Sequence, residues 1–199
     1  MNIVKKETND KNALWANFVN GNQKAFASIY NEHIASLYVY GCKICQDQDL
    51  IKDCIQDVFI DLFQNGSQLS VPRNIKFYLF KVLKHCVYRR LKKERKYGEL
   101  SARSLDFFQT EYCIERKIIH SEIEKSRKRF IHLITNELSS RQQEILYLRF
   151  TMAFTYREIS EILIIDHNSV RKQVYRAIKK LRESDTFKDR VCLLPFLQH

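Results

Sequence analysis

The sequence predicts an all-α protein made of two small helical domains joined by a linker, and three observations point there. Glycine (4) and proline (2) are scarce in 199 residues, whereas tight turns, bulges and phosphate-cradling loops draw on both. Apolar residues recur at the i, i+3, i+4 spacing of a helix through most of the chain. The length exceeds what one small bundle needs and suits two domains of about 70–100 residues each.

The first domain spans residues 12–96, where helical periodicity marks segments near 12–20, 23–45, 48–64 and 74–96. Gly21-Asn22 separates the first two segments, and Gln64-Asn65-Gly66-Ser67 with Ser70-Val71-Pro72 makes the one extended loop of this domain. Residues 97–112 lack a clean period and read as a linker, and a long charged helix is expected from about 112 to 136.

A second domain, 113–184, contains three helix starts, each with a side-chain oxygen where exposed backbone N–H groups need a partner; a tail, 185–199, follows it. Ser139 is followed three residues later by Gln142, Thr155 by Glu158, and Asp166 precedes Val170. These predict helices at 140–151, 156–163 and 167–183. Two short helices, a turn of about three residues and a longer basic helix match helix-turn-helix spacing.

Charge narrows the partners. Lys+Arg (34) exceed Asp+Glu (23), for a formal charge of +11, and the pI near 9.4 favours a polyanion, either nucleic acid or an anionic membrane surface. No run approaches the roughly 18 apolar residues of a membrane span, and MNIVKKETNDKN lacks the apolar core of a signal peptide, so a cytoplasmic location is expected. The six cysteines then read as reduced thiols without disulfides, and Cys42, Cys45, Cys54, Cys86 and Cys113 fall where a small hydrophobe fits a helix. Cys42 and Cys45 form a C-x-x-C without a second ligand pair, which reads as packing. No metal and no cofactor are expected.

The helix beginning at 167 places Val170, Val174, Ala177, Ile178 and Leu181 on one stripe. Its other face then presents Asn168, Ser169, Arg171, Lys172, Gln173 and Arg176, with Lys179, Lys180 and Arg182 further on. In a major groove the first turns meet base edges, where Arg suits guanine and Asn or Gln suits adenine; later Lys and Arg meet phosphates. By itself this face is equally a solvated one, and the capped helix and short turn before it favour DNA.

Val71 to Lys96 holds ten basic residues against one acid, Glu94. Ile75, Leu79, Val82, Cys86 and Leu91 can form its buried stripe, which turns Phe77, Lys81, Lys84, His85, Tyr88 and Arg89 to the other side. Aromatic rings among cations suit single-stranded DNA, with stacking for bases and charge for the backbone. Tyr78 and Phe80 read as core. In the third stretch, Asp49, Asp53, Asp57 and Asp61 follow at i, i+4 as an acidic ridge beside an apolar one of Ile51, Cys54, Ile55, Val58 and Leu62. Like charges at that spacing weaken a helix by a few tenths of a kcal/mol per pair, and no base on the same ridge offsets them. The residues alone leave two meanings open, a solvated face and a surface for a basic protein.

Several stretches together resemble the extracytoplasmic-function sigma factors of bacterial RNA polymerase, from about Gly21 to Glu183. Gly21-Asn22-Gln23-Lys24-Ala25-Phe26 with Ile29-Tyr30 is similar to the opening of that family's first domain. Asp53-Cys54-Ile55-Gln56-Asp57-Val58-Phe59 with Leu62-Phe63 resembles the segment that binds the clamp helices of the polymerase's largest subunit. Phe77 to Leu91 is similar to the helix that, with the loop before it, opens and reads the −10 element. Leu138 to Ile145, Tyr156-Arg157-Glu158-Ile159 with Leu163, Ser169-Val170-Arg171 and Arg176 to Leu181 resemble the family's −35 helix-turn-helix.

The resemblance implies a transcription initiation factor without catalysis or a small-molecule substrate, whose partners are core RNA polymerase, promoter DNA and an anti-sigma factor, often membrane-anchored. It makes Asp53, Gln56, Asp57, Phe59 and Asp61 the polymerase contacts. Arg73, Lys76, Phe77, Lys81, Lys84, His85, Tyr88 and Arg89 become the −10 contacts, and Asn168, Ser169, Arg171, Lys172, Gln173, Arg176 and Lys179 the −35 contacts. Three positions depart from the pattern. Ile164 stands where Gly or Asn is frequent, so a locally different turn is expected; His85 stands where Asn is frequent and Ser169 where Thr is usual. A dimeric helix-turn-helix regulator acting without polymerase is the rival reading; it leaves the acidic ridge and the 77–96 helix without a role. An enzyme with Asp53, Asp57 and Asp61 on a metal lacks an accompanying nucleophile or phosphate loop.

Overall fold

The computed structural model describes residues 13–66, 74–96, 108 and 137–183, and the regular elements among them are all helical. They group into two compact units. The expected linker, the charged helix at 112–136 and the tail lie outside the described residues.

In the first unit, α1 (13–19) is followed by α2 (Gln23–Ile44), α3 (Gln48–Asn65) and α4 (Ile75–Lys96), within a residue or two of the expected segments. Polar side chains set the helix starts. Gly21 turns the chain at φ 84°, and Asn22 Oδ1 accepts from the amides of Lys24 (2.9 Å) and Ala25 (3.2 Å). Asp47 caps α3 by accepting from Asp49 and Leu50 at 3.0 Å, and Asn74 caps α4 through the Phe77 amide at 3.2 Å.

Ile29, Leu37 and Tyr40 of α2, Ile51, Cys54, Val58 and Leu62 of α3, and Leu79, Phe80 and Leu83 of α4 are buried together with Trp15 and Phe18. Each such apolar side chain removed from water contributes about 1.5–3 kcal/mol. Tyr40 stacks on Phe80 with ring centroids 5.0 Å apart, and Trp15 meets Tyr78 edge-on at 6.4 Å. Where α2 meets α3, a Cβ on Gly41 would lie 2.5 Å from Ile51 Cγ2, so only glycine allows that approach.

The buried stripe of α3 is the expected one, whereas that of α4 is rotated. Ile75, Leu79 and Cys86 are buried, but Phe80, Leu83 and Val87 complete the face and Val82 and Leu91 are half-buried. The rotation carries Lys84 inward, to 9% exposure, which corrects its expected outward position. The cause is tertiary: Phe80 stacks on Tyr40 of α2, and Leu83 and Val87 follow it on the same helix face and are buried with it.

The second unit contains α5 (Ser140–Leu146), a π-helical turn (Tyr147–Thr151), α6 (Tyr156–Leu163) and α7 (His167–Glu183). Both capping boxes form, Ser139 with Gln142 and Thr155 with Glu158. Asp166 Oδ2 accepts from the amides of Asn168 (2.8 Å) and Ser169 (3.1 Å) at the start of α7. The helix expected at 140–151 changes character after Leu146. The Met152 amide reaches back to the Tyr147 carbonyl (3.1 Å) and the Phe154 amide to that of Leu148 (3.0 Å). Arg149 braces this exit, donating to the Phe154 carbonyl at 3.0 Å with its guanidinium 4.9 Å from the Tyr156 ring. Leu148 and Phe154 are thereby buried with Ile145, Ile159, Ile162, Val170, Val174 and Ala177.

The turn between α6 and α7 contradicts the expectation raised by Ile164. It takes the ordinary left-handed geometry, with Ile164 itself at φ 52°, ψ 51° and the Ile165 amide bonded to the Ser160 carbonyl at 3.0 Å, the long bond of a Schellman cap. A β-branched residue held there costs about 1–2 kcal/mol. Arg141 offsets part of that cost. Its Nη2 donates to the Leu163 carbonyl at 2.8 Å, and its Nη1 lies 3.8 Å from the buried Glu144 carboxylate.

Ile164 is 73% exposed, so its side chain returns little burial for this strain. Ile164→Gly is therefore expected to stabilise the second unit by about 1 kcal/mol, read as a higher urea midpoint with an unchanged slope. A lower midpoint would show that the isoleucine is not strained.

Candidate nucleic-acid and protein interfaces

Helix α7 buries Val170, Val174 and Ala177 and half-buries Ile178 and Leu181, which fixes what faces outward. Asn168, Ser169, Arg171, Lys172, Arg176 and Lys179 are exposed, and Gln173 is half-buried at the edge of the packed face. Two features hold this face in place: the Asp166 cap at its first turn and the Tyr156–His167 edge contact at 6.3 Å, which ties the start of α6 to the start of α7. Sequence reasoning missed Tyr175, which is 70% exposed. It lies on one stripe with Asn168, Lys172 and Lys179, at i, i+4, i+7 and i+11, and that register was the available signal. An exposed tyrosine among cations adds a flat ring able to pack on sugar or base.

On α4, His85, Tyr88 and Arg89 are exposed, while Lys76, Phe77 and Lys81 are half-buried. Lys81 Nζ sits 5.6 Å from the Phe77 ring centroid, an arrangement that keeps cation and ring on one side of the helix. Lys84 is the member of the expected set that the fold turns inward. Arg73 lies outside the described residues.

Helix α3 exposes Asp53, Gln56, Asp57 and Asp61. Phe59 belongs to the core instead, at 3% exposure, with its ring 4.7 Å from Tyr30 and 6.3 Å from Phe26. It is turned away from the aspartates, onto the helix side that packs, where it lines a concavity beside α2. The acidic ridge is also not left without positive charge. Arg90 of α4 bonds Asp57 and lies 3.4 Å from Asp53, and its guanidinium is held further into its charged form, first of all by the Asp57 bond. Sequence spacing could not reveal this, since Arg90 is 33 and 37 residues away from its partners. Lys52 pairs with Asp49 at 2.9 Å, and Asp61 accepts from Asn65 at 2.7 Å.

Two concavities flank α3. One, of about 860 Å³, is an apolar groove beside α2 lined by Phe26, Tyr30, Ile34, Ile55, Phe59, Ile60 and Phe63 among others; Ile60 and Phe63 stand exposed on its rim. The other, of about 470 Å³, lies between α3 and α4 and sets Asp57 and Asp61 opposite His85 and Arg89. Residues expected in two separate interfaces thus share one cleft. Among the described residues, no group of three or more His, Cys, Asp or Glu side chains is arranged to hold a metal, and no helix is long and apolar enough to cross a membrane.

The model of sigma-70 region 2 matches residues 29–97, and that of sigma-70 region 4 matches residues 131–181. The chain is 23% identical over 158 residues to the RNA polymerase sigma factor SigV of Bacillus subtilis (strain 168), covering 79% of this chain and 89% of SigV. To the ECF RNA polymerase sigma factor SigX of the same organism it is 18% identical over 163 residues, covering 81% of this chain and 84% of SigX. Among solved structures, the sigma factor RpoE in complex with the anti-sigma factor NepR from Bartonella quintana matches with a TM-score of 0.57 at 19% identity, over 80% of this chain and 96% of that one. CnrH in complex with the cytosolic domain of CnrY matches at 0.53 and 19%, over 86% and 94%. At these identities the two structures speak for the fold.

The Arg90 bridge makes a measurable prediction. The side chains of Arg90, Asp53 and Asp57 are 32%, 64% and 51% exposed, so solvent screening keeps the pairing small, at about 1 kcal/mol. Arg90→Ala is expected to lower the urea midpoint by that much, and most of the loss should vanish in an Asp53→Asn, Asp57→Asn background. Equal losses in both backgrounds would mean that Arg90 acts through its stem alone.

Proposed function

The chain belongs to the extracytoplasmic-function branch of the sigma-70 family of RNA polymerase sigma factors, and we propose that its two helical units divide promoter recognition between them. It directs promoter recognition and transcription initiation; the assignment of that work to particular residues is the proposal. Residues 12–96 bind core polymerase and the melted −10 strand, 97–112 link, 113–184 read the −35 duplex, and 185–199 form a tail.

The observation that carries this reading is the segregation of chemistry onto faces. The outward face of α7 offers Asn168, Ser169, Arg171, Lys172 and Arg176 at the end of a helix-turn-helix, with Gln173 at its margin and Lys179 beyond, the order in which base edges and then phosphates are met. The α4 face offers rings and cations, Phe77, Lys81, His85, Tyr88 and Arg89, with Lys76 near its start, for unpaired bases and their backbone; Arg73 is a further −10 contact in this reading. Lys84, expected on that face, is turned inward. On α3, Asp53, Gln56, Asp57 and Asp61 are the contacts for the polymerase clamp, and the apolar groove alongside adds surface that docking would desolvate.

The chain performs no catalysis in this reading; binding energy is its whole contribution. Its location is the cytoplasm, with the polymerase. An anti-sigma factor, membrane-anchored in one version, covers the same surfaces until released, as the complexes of RpoE with NepR and CnrH with CnrY suggest by analogy.

Mixing the purified chain with bacterial core RNA polymerase tests the reading directly. Co-elution and transcripts from a promoter library that core alone ignores are expected; DNA binding without polymerase binding would favour a dimeric regulator. At residue level, Arg171→Ala and Lys172→Ala should each weaken −35 duplex binding about tenfold, within the range of a lost base or phosphate contact. The log–log salt slope should fall by about 0.9 per phosphate contact removed. Asp53→Ala with Asp57→Ala should reduce polymerase binding and spare DNA. Because that pair also deprives Arg90 of its partners, Arg90→Ala is the control, and equal loss from the control would trace the defect to folding of α3 on α4.

A further inference from the structure

Tyr175 is the large apolar side chain of α7 that packing inside the second unit does not use. Val174 and Ala177 beside it are buried and hold the backbone in place, while Tyr175 keeps 70% of its surface in water. A single exposed ring needs no explanation by itself; this one is distinguished by its register. Helix neighbours lie three and four residues apart, so the ring is bounded by Arg171 and Lys172 on one side and by Lys179 on the other, all of them exposed. Lys179 Nζ lies 3.7 Å from the Glu183 carboxylate, which draws that cation toward the end of the helix and away from the ring. Asn168 is seven residues earlier, about 10 Å along the axis at about 1.5 Å per residue. The ring thus stands where the base-edge end of the outward face gives way to its phosphate end.

The surrounding side chains decide what the ring can add. Arg171, Lys172 and Lys179 supply charge and hydrogen-bond donors, which suit phosphates and the acceptors on base edges. The major groove also carries one apolar feature, the C5-methyl group of thymine, and that is read by apolar contact. Tyrosine brings a broad flat surface on few rotatable bonds, so ordering it costs less than ordering a lysine. The ring face, more than the hydroxyl, is what the cations around it lack.

We propose that Tyr175 is a specificity-determining residue of the −35 interface, its ring packing on the C5-methyl of a thymine in the major groove. The inference rests on the reading of α7 as the −35 helix and adds to it a preference for A·T at one position, which the polar side chains do not provide. An uncharged contact releases no counterions, so its share of the affinity stays constant as salt rises, unlike that of the lysines and arginines around it.

The test titrates the full chain with a duplex that it has itself enriched from random-sequence DNA, each thymine being replaced in turn by deoxyuridine, which removes the methyl and keeps the base pair. One replacement is expected to weaken wild-type binding about fourfold, the size of one methyl's burial. In Tyr175→Ala the same replacement should cost nothing further, while affinity for the thymine duplex falls at least as far and the log–log salt slope keeps its wild-type value. Tyr175→Phe should retain both the affinity and the uracil response. Both variants should keep the wild-type urea midpoint, since the ring is exposed. Full affinity in Tyr175→Ala, a uracil response that survives in it, no uracil response at any thymine in the wild type, or equal losses in Tyr175→Phe and Tyr175→Ala would each overturn the proposal, the last by tracing the contact to the hydroxyl. Arg171→Ala and Lys172→Ala separate this outcome from the reading beneath it. If they too leave duplex binding unchanged, or no duplex is enriched, α7 is not the −35 helix and the proposal falls with that reading; if they weaken binding and Tyr175→Ala does not, the thymine contact alone is wrong.

Discussion

The docking of α3 on α4 is the constraint on which the first unit depends, because neither helix is electrostatically comfortable alone. Four aspartates at i, i+4 repel one another along α3, and the stretch from Val71 to Lys96 carries ten bases against a single acid. With the helices together, Cys54, Val58 and Leu62 of α3 and Leu79, Leu83 and Cys86 of α4 are buried, and Arg90 bridges Asp53 and Asp57. The apolar seam supplies most of the energy, since the ion pairs are half exposed and weak. The charges supply register, and register decides which side chains remain on the outside.

The second unit meets a different problem, a sharp reversal between two short helices. Its turn is closed with an isoleucine in a conformation that suits glycine, and surrounding contacts hold it there. The capping box at Thr155 starts α6, the Arg141 bond to the Leu163 carbonyl finishes it, and Asp166 starts α7 at once. Over-determination of this kind is what lets a strained residue persist. It also fixes the angle at which α7 leaves the turn, and so which residues its first two turns present.

Net charge alone permits either nucleic acid or a membrane surface as partner; its distribution is more informative. Cations gather on the outward faces of α4 and α7, anions on α3, and the rings of Tyr88 and Tyr175 stand exposed among the cations. The same interface that holds the charged faces in register also buries two cysteines, Cys54 and Cys86.

Much of this was legible in the sequence because it rests on local rules. Helix periodicity, the two capping boxes and the Asp166 cap depend on residues within one or two turns of each other, so the bounds of α6 and α7 and the outward face of α7 follow from spacing. The same locality explains the expected stripe of α3. Contacts between residues distant in sequence were decided only by the tertiary structure. The buried face of α4 turned toward Phe80, Leu83 and Val87 and took Lys84 with it, because the space left by α2 and α3 chose among several possible stripes. Phe59 went to the core, and Arg90 found aspartates more than thirty residues away. Ile164 accepted a left-handed turn that its own preference opposes, since the flanking helices impose more than one residue's strain can resist. Local rules therefore determined which helices form and most of what they show, and packing between helices decided which charges are paired and which side chains are buried.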